Sequence, residues 1–479
     1  MPQLEAIIGL EVHAQMSTRT KMFCACDNDA FDKEPNTTVC PVCMGHPGTL
    51  PVPNGEAVAK AVRASLALGC TVHPDSHFDR KHYFYPDLPS GFQISQYDFP
   101  LATKGQVEYD LVAEDGTATG KICRIHRLHI ENDAGKLTHR GRATLCDYNR
   151  AGTPLMEIVT EPDLRSHQEA SAFAEELRRI LIAVSASEAD MFKGMMRFDA
   201  SISLREVGTE KLNPRSEIKN FNSFKALERA LVYEENRLRL LWEETGGPLP
   251  GNITVGWQDD EGATRLLRDK ESAQDYRYFP EPDIPPLRFE ASEIEAMKAA
   301  LPELPRARRK RYVELQLTEA EAALLMDQPA VRERFDAVYG KTKDAKRASG
   351  IVLTQMIGFL KAEGKDVSEG PAAERLLELV TAVDDGTISG NAAKAVLETM
   401  VKTGKAAPAI IEEQGLRQIS DDGALKEMVK AALDANPKAL EDFRAGKQAA
   451  LGAIVGAVMK ASKGQANPAK VNEILRSML

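Results

Sequence analysis

Three stretches of this chain alternate polar and apolar residues, and a period of two dictates β-strands with one wet face and one dry face. In Leu10-Glu11-Val12-His13-Ala14-Gln15-Met16, Glu11, His13 and Gln15 share a face. In Arg127-Leu128-His129-Ile130-Glu131 the polar trio again falls on one side. Arg197, Asp199, Ser201, Ser203 and Arg205 alternate with Met196, Phe198, Ala200, Ile202 and Leu204. One amphipathic strand usually just solvates its polar face. His, carboxylates and Arg recurring on three strands is the pattern of a built site. Glu157 is a lone charge inside Pro154-Leu-Met-Glu-Ile-Val159, costly there unless paired or metal-bound. Oxygen ligands with an occasional His suit Mg²⁺. An acid-lined Mg²⁺ site and a set of merely solvated strand faces are the two readings left open.

A second constraint is Cys24-Ala-Cys26, thirteen residues, then Cys40-Pro-Val-Cys43: four of the seven cysteines within twenty residues. Two Cys pairs on two turns supply a tetrahedron of soft ligands for Zn²⁺, and four thiolates leave no open position, so such a zinc is structural. The intervening loop has little apolar material, which makes a metal its core. Unligated thiols or a redox pair are the alternatives, and His46 is a substitute ligand. The odd, uneven cysteine count argues against a disulfide framework. Cys70, Cys123 and Cys146 read as reduced core thiols.

At 479 residues, the chain has room for about three domains. Residues 1–295 hold all nine histidines and read as an α+β, mixed α/β catalytic body of short strands with two clear helices. One helix starts at Ser166 with a capping box to Glu169; the other runs from about Ser223 to Trp242. Residues 296–405 read as an all-helical domain and 406–479 as a helical tail, whose last helix is capped by Asn467–Pro468. The strings HYFYPDLP (82–89) and YRYFPEPDIP (276–285) echo each other without making a repeat.

With 61 basic and 71 acidic residues, a wholly basic nucleic-acid-coating protein is excluded; a local nucleic-acid site is not. Residues 441–479 carry six basic and three acidic side chains, a basic end on an acidic chain. Gly452 and Gly456, four apart, suit close helix packing or approach to a nucleic-acid backbone. No apolar run approaches membrane-spanning length, and MPQLEAIIGLEVH has acid where a signal peptide has Lys or Arg, so a cytoplasmic location without membrane partners is expected. The chain has no G-x-x-x-x-G-K-[ST], no G-x-S-x-G and no H-E-x-x-H. In Asp79-Arg-Lys-His-Tyr-Phe-Tyr-Pro-Asp87, Arg80 and Lys81 could hold phosphate and Tyr83 or Tyr85 could stack on a base, or the segment is a plain hairpin with one aromatic in the core.

Several strings combine into a resemblance: IGLEVHAQM (8–16), FDRKHYFYPDLPSGFQISQYD (78–98), RLHIENDAGKLTH (127–139), DYNRAGTPLMEIVTEPDL (147–164), MRFDASISLR (196–205), EIKNFNSF (217–224), DYRYFPEPDIPPL (275–287) and MKASKGQANPAKVNEIL (459–475). Together, and in this order, they resemble the GatB family, B subunits of the aspartyl/glutamyl-tRNA(Asn/Gln) amidotransferases. The resemblance implies a cradle domain with a small four-cysteine zinc module, a helical domain and a YqeY-like tail that grips tRNA. It implies an ATP-dependent carbon–nitrogen ligase. The side-chain carboxylate of Asp-tRNA(Asn) or Glu-tRNA(Gln) is phosphorylated, then amidated with ammonia from glutamine hydrolysed in the partner GatA, with GatC bracing the pair.

Residue by residue, the resemblance implies Mg²⁺ ligands, which are also the catalytic set, at Glu11, His13, Glu131, Glu157 and Asp199. It implies structural Zn²⁺ on Cys24, Cys26, Cys40 and Cys43. Arg80, Lys81, Tyr83 and Lys219 are candidates for ATP contact, and Lys447, Lys460, Lys463 and Lys470 for tRNA contact. Asn132, Ser201 and Ser90 depart from the family's commoner Glu, Asn and Lys. A tRNA-binding adaptor with no chemistry of its own and a free-standing ATP-dependent amide ligase are the competing classes; the absence of a glutaminase motif favours dependence on GatA.

Overall fold

In the computed structural model, residues 2–113, 117–221, 223–270, 275–419, 421–438, 450–462 and 465–478 are described. They divide into two compact units, Met1–Arg308 and Arg309–Leu479. Among the described residues the first unit is built on a nine-stranded sheet. Its spatial order is β14 (Ala263–Lys270), β13 (Asn252–Gln258), β12 (Ser216–Lys219), β11 (Met196–Glu206), β1 (Leu4–Gln15), β10 (Pro154–Thr160), β7 (Ala118–Asn132), β6 (Ala102–Val112) and β2 (Thr71–Val72). Only β12 and β13 run parallel, joined through helix α3 (Phe224–Thr245). The N-terminal strand β1 lies inside the sheet. Glu11 pairs Val159 of β10 on one side and Asp199 of β11 on the other.

The dry face is covered by α1 (Gly55–Ala67), α2 (His167–Ala183) and α3, and its core includes Leu10, Val12, Met156, Ile158, Phe198 and Leu177. Phe173 of α2 meets Tyr109 of β6 edge to face, ring centroids 5.9 Å apart. The helix starts follow the expected chemistry. Ser166 Oγ accepts the Glu169 amide, while the Glu169 carboxylate reaches back to the Arg165 amide, one residue earlier than a strict capping box. Ser223 caps α3, and Gly246 ends it in the left-handed region at φ 75°.

Over the polar face lies a three-stranded sheet of β15 (Phe279–Pro280), β4 (Asp79–His82) and β5 (Phe92–Ser95). It is fastened to β7: Gln93 Nε2 donates to the Asn132 carbonyl at 2.9 Å, and the Ile94 amide donates to Asn132 Oδ1 at 2.9 Å. The two echoing aromatic strings thereby lie side by side, with Arg80 opposite Phe279. Two small pairings complete the unit, β3 (Asp75–Ser76) with β16 (Leu287–Arg288), and the hairpin β8 (Lys136–Arg140) with β9 (Ala143–Asp147). Cys146 is half-buried on that hairpin rather than in the core; Cys70 and Cys123 are buried as expected.

The described residues of the second unit are helical and gather two apolar clusters. The first surrounds Phe335, Met356, Leu379 and Val396, and takes in Ile410 and Ile411 of the helix Ala407–Glu413. The second joins the helices Asp422–Ala435, Ala450–Ala461 and Pro468–Met478 through Leu425, Ile454 and Leu475. Asn467 Oδ1 caps the last of these, accepting from the Ala469 and Lys470 amides. Among the described residues no helix is long and apolar enough to cross a membrane.

Because Phe173 is fully buried between α2 and β6, Phe173→Ala should lower the unfolding free energy of the N-terminal unit by about 3–5 kcal/mol, read from urea unfolding followed by tryptophan fluorescence.

Candidate active site

Strand register converts the alternation into a row of charges. Asp199 on β11 faces Glu11 on β1; His13 on β1 faces Glu157 on β10; Glu157 faces His129 on β7, two residues before Glu131. All five expected ligands therefore sit on one face of four adjacent strands. His13 Nε2 lies 3.4 Å from Glu157 and 3.8 Å from both Glu11 and Glu131. His129 Nε2 lies 3.3 Å from Glu157 and 3.8 Å from Glu131. Glu11, His13 and Glu157 can each turn one ligand atom to within 4.8 Å of the others, and so can His129, Glu131 and Glu157.

Glu131 and His129 are nearly sealed, at 2% and 3% exposure. Burial alone would neutralise such groups. Burial pushes the His13 imidazole down, but its hydrogen bond to Glu157 and the charges of Glu157, Glu131 and Glu11 outweigh this and raise it to about 9. His129 is raised in the same way, against burial, chiefly by Glu157. Burial likewise works against Glu157, yet His129 and His13 hold its carboxyl well below the usual range. Loss of surrounding water and the nearby Glu157 charge push the Glu11 carboxyl up.

Glu11, His13, Glu131 and Asp199 line a cavity of about 370 Å³, together with Lys81, Tyr83, Asp133, Arg197 and Lys219, while Glu157 and His129 sit behind them. Lys219 Nζ is 2.5 Å from Asp199 and 2.8 Å from Glu217. Lys81 comes down from β4, its ammonium 5.0 Å from the Tyr276 ring centre and 5.9 Å from that of Tyr83. Burial works against its charge, but Glu131 and Glu157 hold it protonated above the ordinary lysine range. Arg80 takes no part in this cavity. Neighbours on a strand point to opposite faces, and Arg80 instead forks Glu281 at 2.6 and 2.9 Å, reaches Asp283 and stacks over Phe92. A second cavity of about 390 Å³ shares Glu11 and continues along the same face past Gly9, Ser201, Ser203 and Arg215.

Four residues outside the expected set belong to the site: Asp133 and Arg197 line the cavity, His129 lies buried against Glu157, and Tyr278 lies near Lys81 and Glu131. The alternation already marked His129 and Arg197. Asp133 follows the end of β7, where alternation carries no information; it receives Arg197 and Gln15, each at 2.9 Å. Burial would raise its carboxyl, but Arg197 and Arg150 hold it at about 2. Tyr278 stacks on Tyr97 with ring centres 4.3 Å apart, and its only sequence signal was the echo between the two aromatic strings.

The four cysteine sulfurs of 24, 26, 40 and 43 lie within 4.8 Å of one another, so the cluster could hold a metal ion. Cys40 and Cys43 sulfurs are 3.9 Å apart, close to the ~3.8 Å edge of a tetrahedron with metal–sulfur bonds of about 2.3 Å. The Cys24 thiol donates to Cys43; with the Cys40 amide and the Lys21 charge, and against burial, this pulls the Cys43 thiol down to about 5. Of the expected tRNA contacts, Lys460 is exposed and Lys470 pairs with Asp422 at 3.3 Å. Lys447 and Lys463 lie outside the described residues.

The GatB/GatE catalytic domain profile matches residues 6–295, and that of the GatB domain matches residues 333–479. Similar full-length relatives carry the name of the B subunit of aspartyl/glutamyl-tRNA(Asn/Gln) amidotransferase. That of Persephonella marina is 47% identical over 483 residues, covering 100% of both chains. The Moorella thermoacetica protein is 45% identical with the same coverage, and that of Thermotoga neapolitana 44% identical over 99% of this chain and 98% of its own. With its row of acids and histidines, its four-cysteine cluster and both domains in family order, the chain belongs to the GatB family of amidotransferase B subunits.

Proposed function

We propose that the acid-lined cavity is where this chain carries out the ATP-dependent step of tRNA-dependent amidotransfer, activating the side-chain carboxylate of Asp-tRNA(Asn) or Glu-tRNA(Gln). The observation that carries the reading is the row Asp199–Glu11–His13–Glu157–Glu131 across four registered strands. A free carboxylate is a poor electrophile, since ammonia would have to expel an oxide. Phosphorylation gives it a leaving group, and that transfer needs positioning and charge neutralisation above all.

The donor set fits Mg²⁺: carboxylate oxygens with an occasional His, in two trios, Glu11–His13–Glu157 and His129–Glu131–Glu157, each brought within 4.8 Å, with Asp199 beside Glu11 on the next strand. Glu11, His13, Glu131, Glu157 and Asp199 would hold it. When bound, Mg²⁺ supplies charge neutralisation at the phosphoryl oxygens. Lys81 and Lys219 stand ready to donate to phosphoryl oxygens from opposite sides, and Tyr83 gives the wall an aromatic face. The cavities meeting at Glu11 offer separate room for the phosphoryl donor and the aminoacyl end. The lid of β4, β5 and β15 keeps water from the activated acyl group. Ammonia delivery falls to GatA, with GatC bracing the assembly, since this sequence has no glutaminase motif. Zn²⁺ on the four-cysteine cluster is structural.

In the second unit, Gly452, Gly456 and Lys460 follow one another at four-residue steps on the helix Ala450–Ala461, all three exposed. No described atom lies within 4 Å of a Cβ built on either glycine, so none of the described helices packs against them. A bare backbone face ending in a lysine suits the phosphate backbone of tRNA.

Glu11→Ala and Glu157→Ala should each cut amidation of Glu-tRNA(Gln) with added ammonium by about 10² or more while charged tRNA still binds; a wild-type rate in either would sink the site assignment. Lys460→Ala should reduce the slope of log affinity for charged tRNA against log salt by about one, measured by filter binding. In the metal-free chain His13 should titrate near 9 by NMR, and Glu157→Gln should lower that midpoint. The folded value lies above the ordinary 6.5. The stabilisation from this histidine is therefore complete below pH 6.5 and is lost as pH rises through about 9.

A further inference from the structure

Lys21 is fully buried, at 0% exposure. Its ammonium donates to the Thr38 carbonyl at 2.8 Å and the Tyr148 carbonyl at 3.5 Å, and it lies 3.8 Å from the Cys43 sulfur. Among the described residues Lys60 is the only other buried lysine, and Lys60 has Glu56 as counter-ion at 3.7 Å. Lys21 has two carbonyls and a sulfur. A buried ammonium with no carboxylate beside it needs another anion, and the Cys43 sulfur is the candidate within reach. Four thiolates around a divalent ion carry two net negative charges, and Lys21 is placed to balance one of them.

The same side chain touches the turn that closes β7 and β10. Gly152 sits there at φ 89°, and a Cβ built on it would come within 3.3 Å of Cys43 Cβ and 3.4 Å of Lys21 Cδ. Gly152 accepts the Met22 amide and donates its own amide to the Asp133 carbonyl at 2.9 Å, while the Asp133 amide donates to Thr153 at 2.8 Å. Asp133 in turn holds Arg197 and Gln15. Asn149 adds a second staple, accepting the Thr38 amide at 2.9 Å.

We propose that Lys21 is a positioning residue: it balances the charge of the loaded four-cysteine centre and clamps the 148–152 turn, so that the centre fixes Asp133 and, through it, Arg197 in the acid-lined cavity. The proposal rests on reading the cysteine cluster as a metal centre. That reading is tested separately, by the zinc content of the unaltered full chain purified without chelator.

With about one zinc per chain, Lys21→Met should release it to a chromogenic chelator about 10- to 100-fold faster than the unaltered chain. Hydrogen exchange should show lost protection in peptides covering 133 and 148–153, with strand 196–206 unchanged. Asn149→Ala, which leaves the charge beside Cys43 in place, should loosen the same peptides with zinc release within about threefold of wild type. Chelator stripping of the unaltered chain should also loosen them, which keeps the test open if Lys21→Met does not fold. Wild-type zinc release in folded Lys21→Met, or unchanged exchange after stripping, overturns the proposal. Absence of zinc from the unaltered chain overturns the metal reading beneath it and leaves the amidation assay untouched.

Discussion

Carboxylates gathered on one face of a sheet repel one another, and the N-terminal unit is organised around balancing that repulsion. Glu11, Glu131, Glu157, Asp199 and Asp133 share the face with His13, His129, Lys219 and Arg197, and Lys81 reaches them from the overlying β4. Each acid except Glu11, at the mouth, is mostly shielded from water, and each has a basic side chain beside it. The opposite face has no such demand and is filled with aliphatic and aromatic side chains under three helices. The sheet is thus a partition between an ionic compartment and an oily one, and strand register keeps the two from mixing.

Much of this partition is legible in sequence because a β-strand's period is regular enough to assign sides. The alternation in Leu10–Met16, Arg127–Glu131 and Met196–Arg205 selected the correct face on β1, β7 and β11, and the lone charge of Glu157 marked β10. What periodicity could not supply was the partner across space. It could not tell Arg80 from Lys81, adjacent residues of the same charge, until β4 was seen to turn one toward Glu281 and the other toward Glu131. Nor could it find Asp133, which lies past a strand end and is defined by contacts with Arg197 and Gln15 far away in sequence. The helix starts were readable for a local reason: Ser166, Ser223 and Asn467 satisfy amides within three residues of themselves. The glycine pair on the helix Ala450–Ala461 shows the limit of spacing alone, since packing and exposure predict the same i, i+4 pattern.

Family membership and physical reading support each other at different levels. The first accounts for the order of the domains and the kind of reaction. The second explains why His13 and His129 flank Glu157, why a lid of short strands lies over the cavity, and why cysteine and acid clusters are joined by a single glycine turn rather than standing as separate features.

The interior position of β1 also fixes the order of events at the ribosome. Its residues 4–15 are made well before their partners at 155–159 and 196–206. At about 5–20 residues per second, roughly 10–40 s separate synthesis of β1 from arrival of its second neighbour. Until residues 155–159 arrive, Ile7, Ile8, Leu10 and Val12 have no sheet to join. The strand that carries Glu11 and His13 therefore depends on pairings of high sequence separation, which form slowly and leave its apolar side open until they do.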